Sequence, residues 1–381
     1  MTLPPSSADD TPATRLATRL AFVSAGFAMA CWAPLVPYAK ARLDLGEAGL
    51  GLLLLCLGIG SVIAMPAAGA LTHRWGCRGV IVLAGAGLCL ALPGLALAAS
   101  VPLLGLSLLL FGASLGSIDV AMNVHAVMVE RAAGRPLMSG FHGLFSVGGF
   151  GGSAVMSALL SLGLAPGAAT ALAVLAVAMA LAVAAPRLLR GRAAGGGPLF
   201  VVPHGMVLLL GGLAFAAFLT EGAILDWTAL FLTQHRGMDP AAGGLGYALF
   251  SAAMTVGRLT GDRVVAALGE RRVLLWGGLL TAAGLAAMVA LPGAVFSLAA
   301  MVAVGLGAAN LVPVLFSAAG RQHAMPVGLA VAAMSTLGYA GILAGPAGIG
   351  LVAGLAGLPA SFLMLAVLML ALPLAARRVG G

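Results

Sequence analysis

Charge is what this sequence has least of. Only 8% of its 381 residues are Asp, Glu, Lys or Arg, against 61% that are hydrophobic. Soluble domains carry about 25% charged residues to keep their surfaces in water, so a soluble globular fold is excluded. Aromatic side chains are also scarce, with 3 Tyr and 4 Trp, and the basic residues behind the net charge of +8 form no stripe interleaved with them. A nucleic-acid-binding face is therefore not expected. Cys31, Cys56, Cys77 and Cys89 show no metal-ligand spacing, and three of them fall inside apolar runs. They read as small core residues in a reducing setting. No Gly-rich loop closing on Gly-Lys-Ser/Thr is present, which argues against direct use of ATP. Neither a cofactor nor a metal is expected. The start, MTLPPSSADDTPAT, lacks the basic opening of a secretory signal, and the apolar run after it is too long for a signal core.

Long apolar runs are what the chain has in abundance. They fall at roughly 16–38, 48–71, 80–99, 103–128, 138–162 and 168–186. After the break RLLRGRAAGGGPLF they resume at roughly 206–233, 242–260, 273–291, 294–318, 328–351 and 359–376. Each is long enough to cross a bilayer as a helix. Barrel strands are about ten residues long and alternate in polarity, which these runs do not. The expected fold is an all-α integral membrane protein with twelve transmembrane helices in two pseudo-symmetric six-helix bundles. A cytoplasmic tail would occupy 1–14, the first bundle 15–186, a cytoplasmic linker 187–205 and the second bundle 206–381.

The arginines set an orientation. Counting loops from a cytoplasmic start, one side receives Arg15, Arg19, Arg74, Arg78, Arg131, Arg135, Arg187, Arg190, Arg192, Arg258, Arg263, Arg271, Arg272, Arg321, Arg377 and Arg378. The other receives Lys40, Arg42 and Arg236. That asymmetry places both termini and the linker in the cytoplasm of a bacterial inner membrane. The halves also echo each other. ARLDLGEAGLGLLLL after the first run resembles QHRGMDPAAGGLGYALF after the seventh, which brings Trp32 into line with Trp227. Gly116-Ser-Ile-Asp119 in the fourth run resembles Gly307-Ala-Ala-Asn310 in the tenth. Paired halves of this kind place a binding site between them.

Ionisable groups inside the runs are costly in hydrocarbon and mark function or a specific structural need. Asp119, Glu221 and Asp226 are the clear cases, with His142 near a helix end. In the fourth run, Gly105, Gly112, Gly116, Asp119, Asn123, Ala126 and Glu130 share one helical face. The fifth carries His142, Ser146, Gly149 and Ser153 in a matching stripe. Folding the two back on each other near Ala133 would set Asn123 level with His142 and Asp119 level with Ser146. In the seventh, Glu221 lies near mid-span and Asp226 about one and a half turns nearer the periplasm, turned away by about 140°. Glu221 shares its face with Thr228. Desolvation at mid-span penalises the charged carboxylate, which suits Glu221 to proton exchange, with Asp119 second. Asp226 is as easily a structural acid held by a neighbouring helix. Trp32, Asn123, His142, Ser146, Asp226, Trp227, Thr228 and Asn310 form the expected solute cavity.

Two hairpins complete the pattern. Gly69-Ala-Leu-Thr-His-Arg-Trp-Gly-Cys-Arg78 joins the second and third runs, and Gly257-Arg-Leu-Thr-Gly-Asp262-Arg263, followed by Gly269-Glu-Arg-Arg272, stands in the same place of the second half. These resemble the loop hallmark of the major facilitator superfamily: Gly, three residues, Asp, Arg or Lys, one residue, Gly, then basic residues. His73 stands where that hallmark has Asp. Gly69, His73, Arg74, Arg258, Asp262 and Arg263 are the gating residues the resemblance implies. Asp119-Val-Ala-Met-Asn123, Ser139-Gly-Phe-His142-Gly-Leu-Phe-Ser146-Val-Gly-Gly149 and Glu221-Gly-Ala-Ile-Leu-Asp226-Trp227 are similar to the bacterial YbjJ-like branch, distantly similar to fucose:proton symporters. The resemblance covers essentially the whole chain.

It implies a secondary transporter of a small organic solute, proton-coupled by a membrane carboxylate and working as a monomer, by uptake or by efflux. A transporter-fold sensor is the alternative, against which stands the shortness of loops and tails. An enzyme is not expected, because no nucleophile or metal-ligand spacing accompanies His142 and Asp119.

Overall fold

The computed structural model describes residues 11–45, 47–189, 202–238, 242 and 245–379, and among them every regular element is helical. The expected tail over 1–10, and Arg190 and Arg192 in the linker, lie outside the described residues. The α-helices are α1 (Pro12–Cys31), α2 (Val36–Arg42), α3 (Glu47–Leu97), α4 (Val101–Ala133), α5 (Met138–Ser161), α6 (Pro166–Ala184) and α7 (Gly205–Arg236). They continue as α8 (Leu245–Leu268), α9 (Glu270–Ala290), α10 (Ala294–Ala308), α11 (Leu311–Arg321), α12 (Val327–Met369) and α13 (Ala371–Val379).

Ten stretches of the described residues are long and apolar enough to cross a membrane. One of them, within α3, is two spans. The 51 residues of α3 would reach about 75 Å if straight, more than twice a bilayer core. Gly76, at φ 76°, turns the chain between them, a backbone conformation that side chains with a Cβ disfavour. The same holds at Gly357, φ 85°, inside α12. Helix α8, too charged to count by hydropathy, supplies the remaining span. Counted this way, the described helices fit twelve crossings.

Helix starts follow local rules. Thr11 caps α1, accepting from the Thr14 amide at 3.1 Å, and Pro12 occupies the first turn, where no amide is needed. Pro34 lies within the 3-10 turn Ala33–Leu35 that separates α1 from α2, and Pro37 lies in the first turn of α2.

The chain divides into two compact units. The first comprises residues 1–135, 144–203 and 325–336, and the second 136–143, 204–324 and 337–381. Thus the first turns of α5 group with the C-terminal helices, and the first turns of α12 with the N-terminal ones.

Within the first unit, small residues bring backbones together. A Cβ at Gly112 would strike the Leu57 backbone, one at Gly116 would lie 2.8 Å from the Ser61 carbonyl, and Ser61 donates to the Gly112 carbonyl at 2.8 Å. The glycines of the α4 stripe therefore serve contact with the second span. Gly148 and Gly152 do the same for α5 against Val23 and Phe27 of α1. Arg42 donates to the carbonyls of Leu95 (3.2 Å), Ala96 (2.5 Å) and Ala98 (2.8 Å) and so closes the C-terminus of α3. Fully buried His125 of α4 accepts from the Leu189 amide at 2.9 Å and meets Thr18 at 3.1 Å. Because Nε2 accepts, the ring proton resides on Nδ1 and points to Thr18, whose hydroxyl donates to Thr14.

The second unit repeats the arginine clamp. Arg236, at the end of α7, donates to Met288 (2.7 Å) and Val289 (2.8 Å) at the end of α9 and to the Ser297 hydroxyl (2.9 Å), and lies over the Phe231 ring. Two features depart from expectation. Helix α8 runs on to Leu268, eight residues past the expected end of its span. The tenth span is broken at Ala309–Asn310 into α10 and α11. Pro313 is the cause: it has no N–H for the carbonyl four residues back, that of Ala309.

Candidate functional site

In the first unit, α4 positions Asp119 and Asn123 one turn apart. The Asn123 amide nitrogen donates to the Asp119 carbonyl at 2.9 Å and to its carboxylate at 3.3 Å. The second carboxylate oxygen receives the Ser335 hydroxyl at 3.3 Å. Asn123 and Ser335 are both fully buried. The hydroxyl at Asp119 therefore comes from Ser335 on α12 rather than from Ser146. Helical periodicity fixes which face a residue occupies, but not which distant span covers that face. Ser335 was missed for that reason. Ser146 itself is half-buried on α5. Trp32 is 6% exposed, and its indole N–H has no partner among the described residues.

The second unit holds the other acid. Glu221 on α7 pairs with Arg258 on α8 at 3.4 Å, with side chains 21% and 10% exposed. The Arg258 Nε also donates to the Ala309 carbonyl at 3.3 Å, the group that Pro313 leaves without a helical donor. Asn310 adds a bond from its amide nitrogen to the Gly257 carbonyl at 3.2 Å. The break in the tenth span is thus held by two successive residues of α8. This corrects the expected place of Arg258. Expected two residues from the end of a span over 242–260, among the hairpin residues, it is a buried cation ten residues inside α8, about 15 Å from that helix's end. The misplacement follows from ending the eighth span too early.

Around this pair, Tyr247 of α8 bonds to Ser251 and feels the charges of Glu221, Asp226 and Arg258. His142, in the part of α5 that belongs to this unit, lies against Phe316 of α11 with ring centroids 5.4 Å apart. Its ring also feels the Arg258 charge. Asp226 is exposed, and no described residue bonds to it. Among the described residues, no neighbouring helix supplies the bond a structural acid would have. The Trp227 indole N–H and the buried Thr228 hydroxyl have no described partner, nor does the Asn310 side-chain oxygen.

The hairpin residues divide in the same way. Asp262, near the end of α8, accepts from the Gly140 amide in the first turn of α5 at 3.0 Å. A side chain at Gly140 would press on the Asp262 carboxylate. In the first unit, Gly69 lies against Ala332 and the Gly328 carbonyl, and its own carbonyl accepts from Thr72 at 2.7 Å. His73 beside it is half-buried, whereas Arg74 and Arg263 are exposed. Among the described residues no group of His, Cys, Asp and Glu is arranged to hold a metal ion.

Long apolar helices with acids, a buried arginine and a helix break among them mark a polytopic membrane protein. The chain is 53% identical over 366 residues to an uncharacterised MFS-type transporter of Yersinia pestis, covering 96% of this chain and 95% of that one. It belongs to the major facilitator superfamily. Among solved structures it is similar to the Escherichia coli fucose:proton symporter FucP, with TM-score 0.74 and 16% identity over 97% of this chain and 98% of that one. It is also similar to the proton:xylose symporter XylE, with TM-score 0.71 and 14% identity over 97% and 95%. No family model matches the chain.

Proposed function

We propose that the protein is a proton-coupled secondary transporter of a small organic solute, in which Asp119 carries the proton and Glu221 serves the solute side of the cycle. The observation behind this assignment is the company each acid keeps. Among the described residues Asp119 has only neutral donors, Asn123 and Ser335, whereas Glu221 faces the Arg258 guanidinium. A desolvated carboxylate is relieved by binding a proton, and a neighbouring guanidinium opposes that by favouring the charged form. Mid-span depth alone ranks Glu221 first; the partners reverse that order. Uptake symport and efflux antiport use the same acid and differ in the step that releases its proton.

In this reading the protein works as a monomer in a bacterial inner membrane, with both termini in the cytoplasm. Trp32, Asn123, His142, Ser146, Asp226, Trp227, Thr228 and Asn310 are the candidate solute contacts. Asp262, through its bond to Gly140, is the latch that each cycle must break. Gly69, His73, Arg74 and Arg263 complete the cytoplasmic hairpins that move with it.

Purified protein in liposomes is screened by counterflow with labelled sugars, amino acids and amines. For a solute that exchanges, an imposed pH gradient should drive accumulation by the wild type and by Glu221→Gln. Asp119→Asn should exchange the solute without accumulating it. Gradient-driven accumulation by Asp119→Asn would sink the assignment.

A further inference from the structure

The tenth span contains a proline that opens a helix, and a guanidinium fills the opening. Pro313 deprives the Ala309 carbonyl of its donor, and the Arg258 Nε supplies one from the neighbouring helix at 3.3 Å. The same guanidinium reaches Glu221 through Nη2 at 3.4 Å. We infer that Arg258 is a positioning residue that transmits the state of Glu221 to the break in the tenth span, so that opening the Glu221–Arg258 pair frees α11 to pivot at Asn310. The inference uses the acid that the proposed function gives to the solute side, but it stands whether or not Asp119 carries the proton.

The physical reasoning is local. A guanidinium pinned by a carboxylate on one side presents its Nε in a fixed direction, because the group is planar and its donors form a rigid fork. Once the carboxylate is neutralised or drawn to another charge, that direction is no longer fixed and the carbonyl at the kink loses its substitute donor. The charged and titratable groups near the pair are Asp226 on the same helix, Tyr247 on α8 and His142 on α5. None of them reaches the Ala309 carbonyl in place of Arg258 in the described structure.

What would move is α11. Its far end is tied to the first turn of α9 by the Arg321–Glu270 ion pair. Its middle carries Phe316, against His142. Two turns of helix therefore separate the kink from the stretch of α5 whose Gly140 amide bonds Asp262. A pivot at Asn310 would be felt at the aromatic contact with His142, and through it at the latch.

Hydrogen exchange of the full-length protein in detergent tests this without any solute. The readout is the amides of Val312 and Val314 to Ala318. Glu221→Gln should raise their exchange by roughly tenfold, the scale of one charge-assisted hydrogen bond, with little change in α9 or α13. Pro313→Ala restores the missing N–H to the Ala309 carbonyl, so in that background Glu221→Gln should change the same amides by less than about twofold. Arg258→Lys keeps a cation beside Glu221 but has one nitrogen for two acceptors. It should raise exchange by itself and leave Glu221→Gln little to add, which an independent structural role would not produce. The inference is overturned if Glu221→Gln leaves these amides unchanged, loosens the whole unit evenly, or acts equally with and without Pro313. Should Glu221→Gln not be recovered folded, Arg258→Lys with and without Pro313→Ala decides the question by the same comparison. Failure of Asp119→Asn to uncouple transport would leave all of these outcomes in place.

Discussion

The two units treat equivalent positions differently, and the difference separates mechanical parts from chemical ones. Arg42 and Arg236, which fall together when the halves are aligned, do the same work. Each lies beyond or at the end of its unit's first span and closes the carbonyl end of the third. Trp32 and Trp227 likewise share an indole N–H without a described partner. The positions that carry acid do not match. Asp119 sits in an unbroken α4, whereas its counterpart Asn310 marks a break caused by Pro313. Asp119 keeps neutral company, and the acid of the second unit keeps a cation. Repetition preserved what holds helices together, and divergence fell on what binds charge.

Removing the partner of each acid should expose this contrast most strongly. Arg258→Ala strands the Glu221 carboxylate in a poorly solvated place and should cost about 3 kcal/mol. The cost should shrink as pH falls, since a proton on Glu221 removes the stranded charge. Ser335→Ala removes one neutral donor from Asp119 and should cost about 1 kcal/mol, a smaller loss that a proton on Asp119 also lessens. Thermal unfolding of both variants in detergent across a pH series checks it. Equal costs would mean that the two acids are held alike.

The arginine clamps are expected to matter less and to differ modestly. Arg236→Ala loses bonds to two carbonyls and Ser297 together with its contact over Phe231, and should cost about 2 kcal/mol. Arg42 is the more exposed of the two, so water can replace its bonds, and Arg42→Ala should cost about 1 kcal/mol. The same unfolding assay reads both. A larger loss at Arg42 would show that exposure does not govern the clamp.

Much of this was legible in the residues and some was not, for identifiable reasons. Hydropathy located most of the spans, because a bilayer imposes a length rule on every crossing. The acids stood out because hydrocarbon makes them conspicuous. Ser335 did not, since a serine on a small-residue helix carries no sign of which distant span it will meet. Arg258 was misread because the charges of Asp262 and Arg263 made α8 look finished one helical turn or more before its end. Pro313 was visible, but tolerance of proline in membrane helices hides which prolines open one. His125 was passed over, although its place inside an apolar run was the available signal.

The hairpins give a smaller effect. Asp262→Asn keeps an oxygen for the Gly140 amide but loses the charge that strengthens the bond, a change of about 1 kcal/mol. Exchange of the amides at 138–143 should rise roughly fivefold. His73→Asn should leave the corresponding first turn of α12 nearly unchanged, because the contact there is made by Gly69 with Ala332 and Gly328. Matching responses would indicate that the two hairpins latch by the same chemistry.

The smallest effect is expected at Asp226. An acid this deep in a span reads from sequence as either a solute contact or a structural group bonded to a neighbouring helix. A structural acid should be buried and bonded. Asp226 is exposed, and no described side chain or backbone group donates to it. Its nearest resolved influence is electrostatic, on Tyr247. Replacing a carboxylate that holds nothing in place removes no bond, and neutralising it lowers the cost of carrying charge at membrane depth. Asp226→Asn should therefore fold in wild-type amounts and unfold within about 0.5 kcal/mol of the wild type, or slightly above it. If Asp226 faces the solute instead of lipid, the same variant should weaken counterflow while leaving stability untouched. A clear loss of folded protein would return Asp226 to a structural role and would mean that its partner forms only within the bilayer.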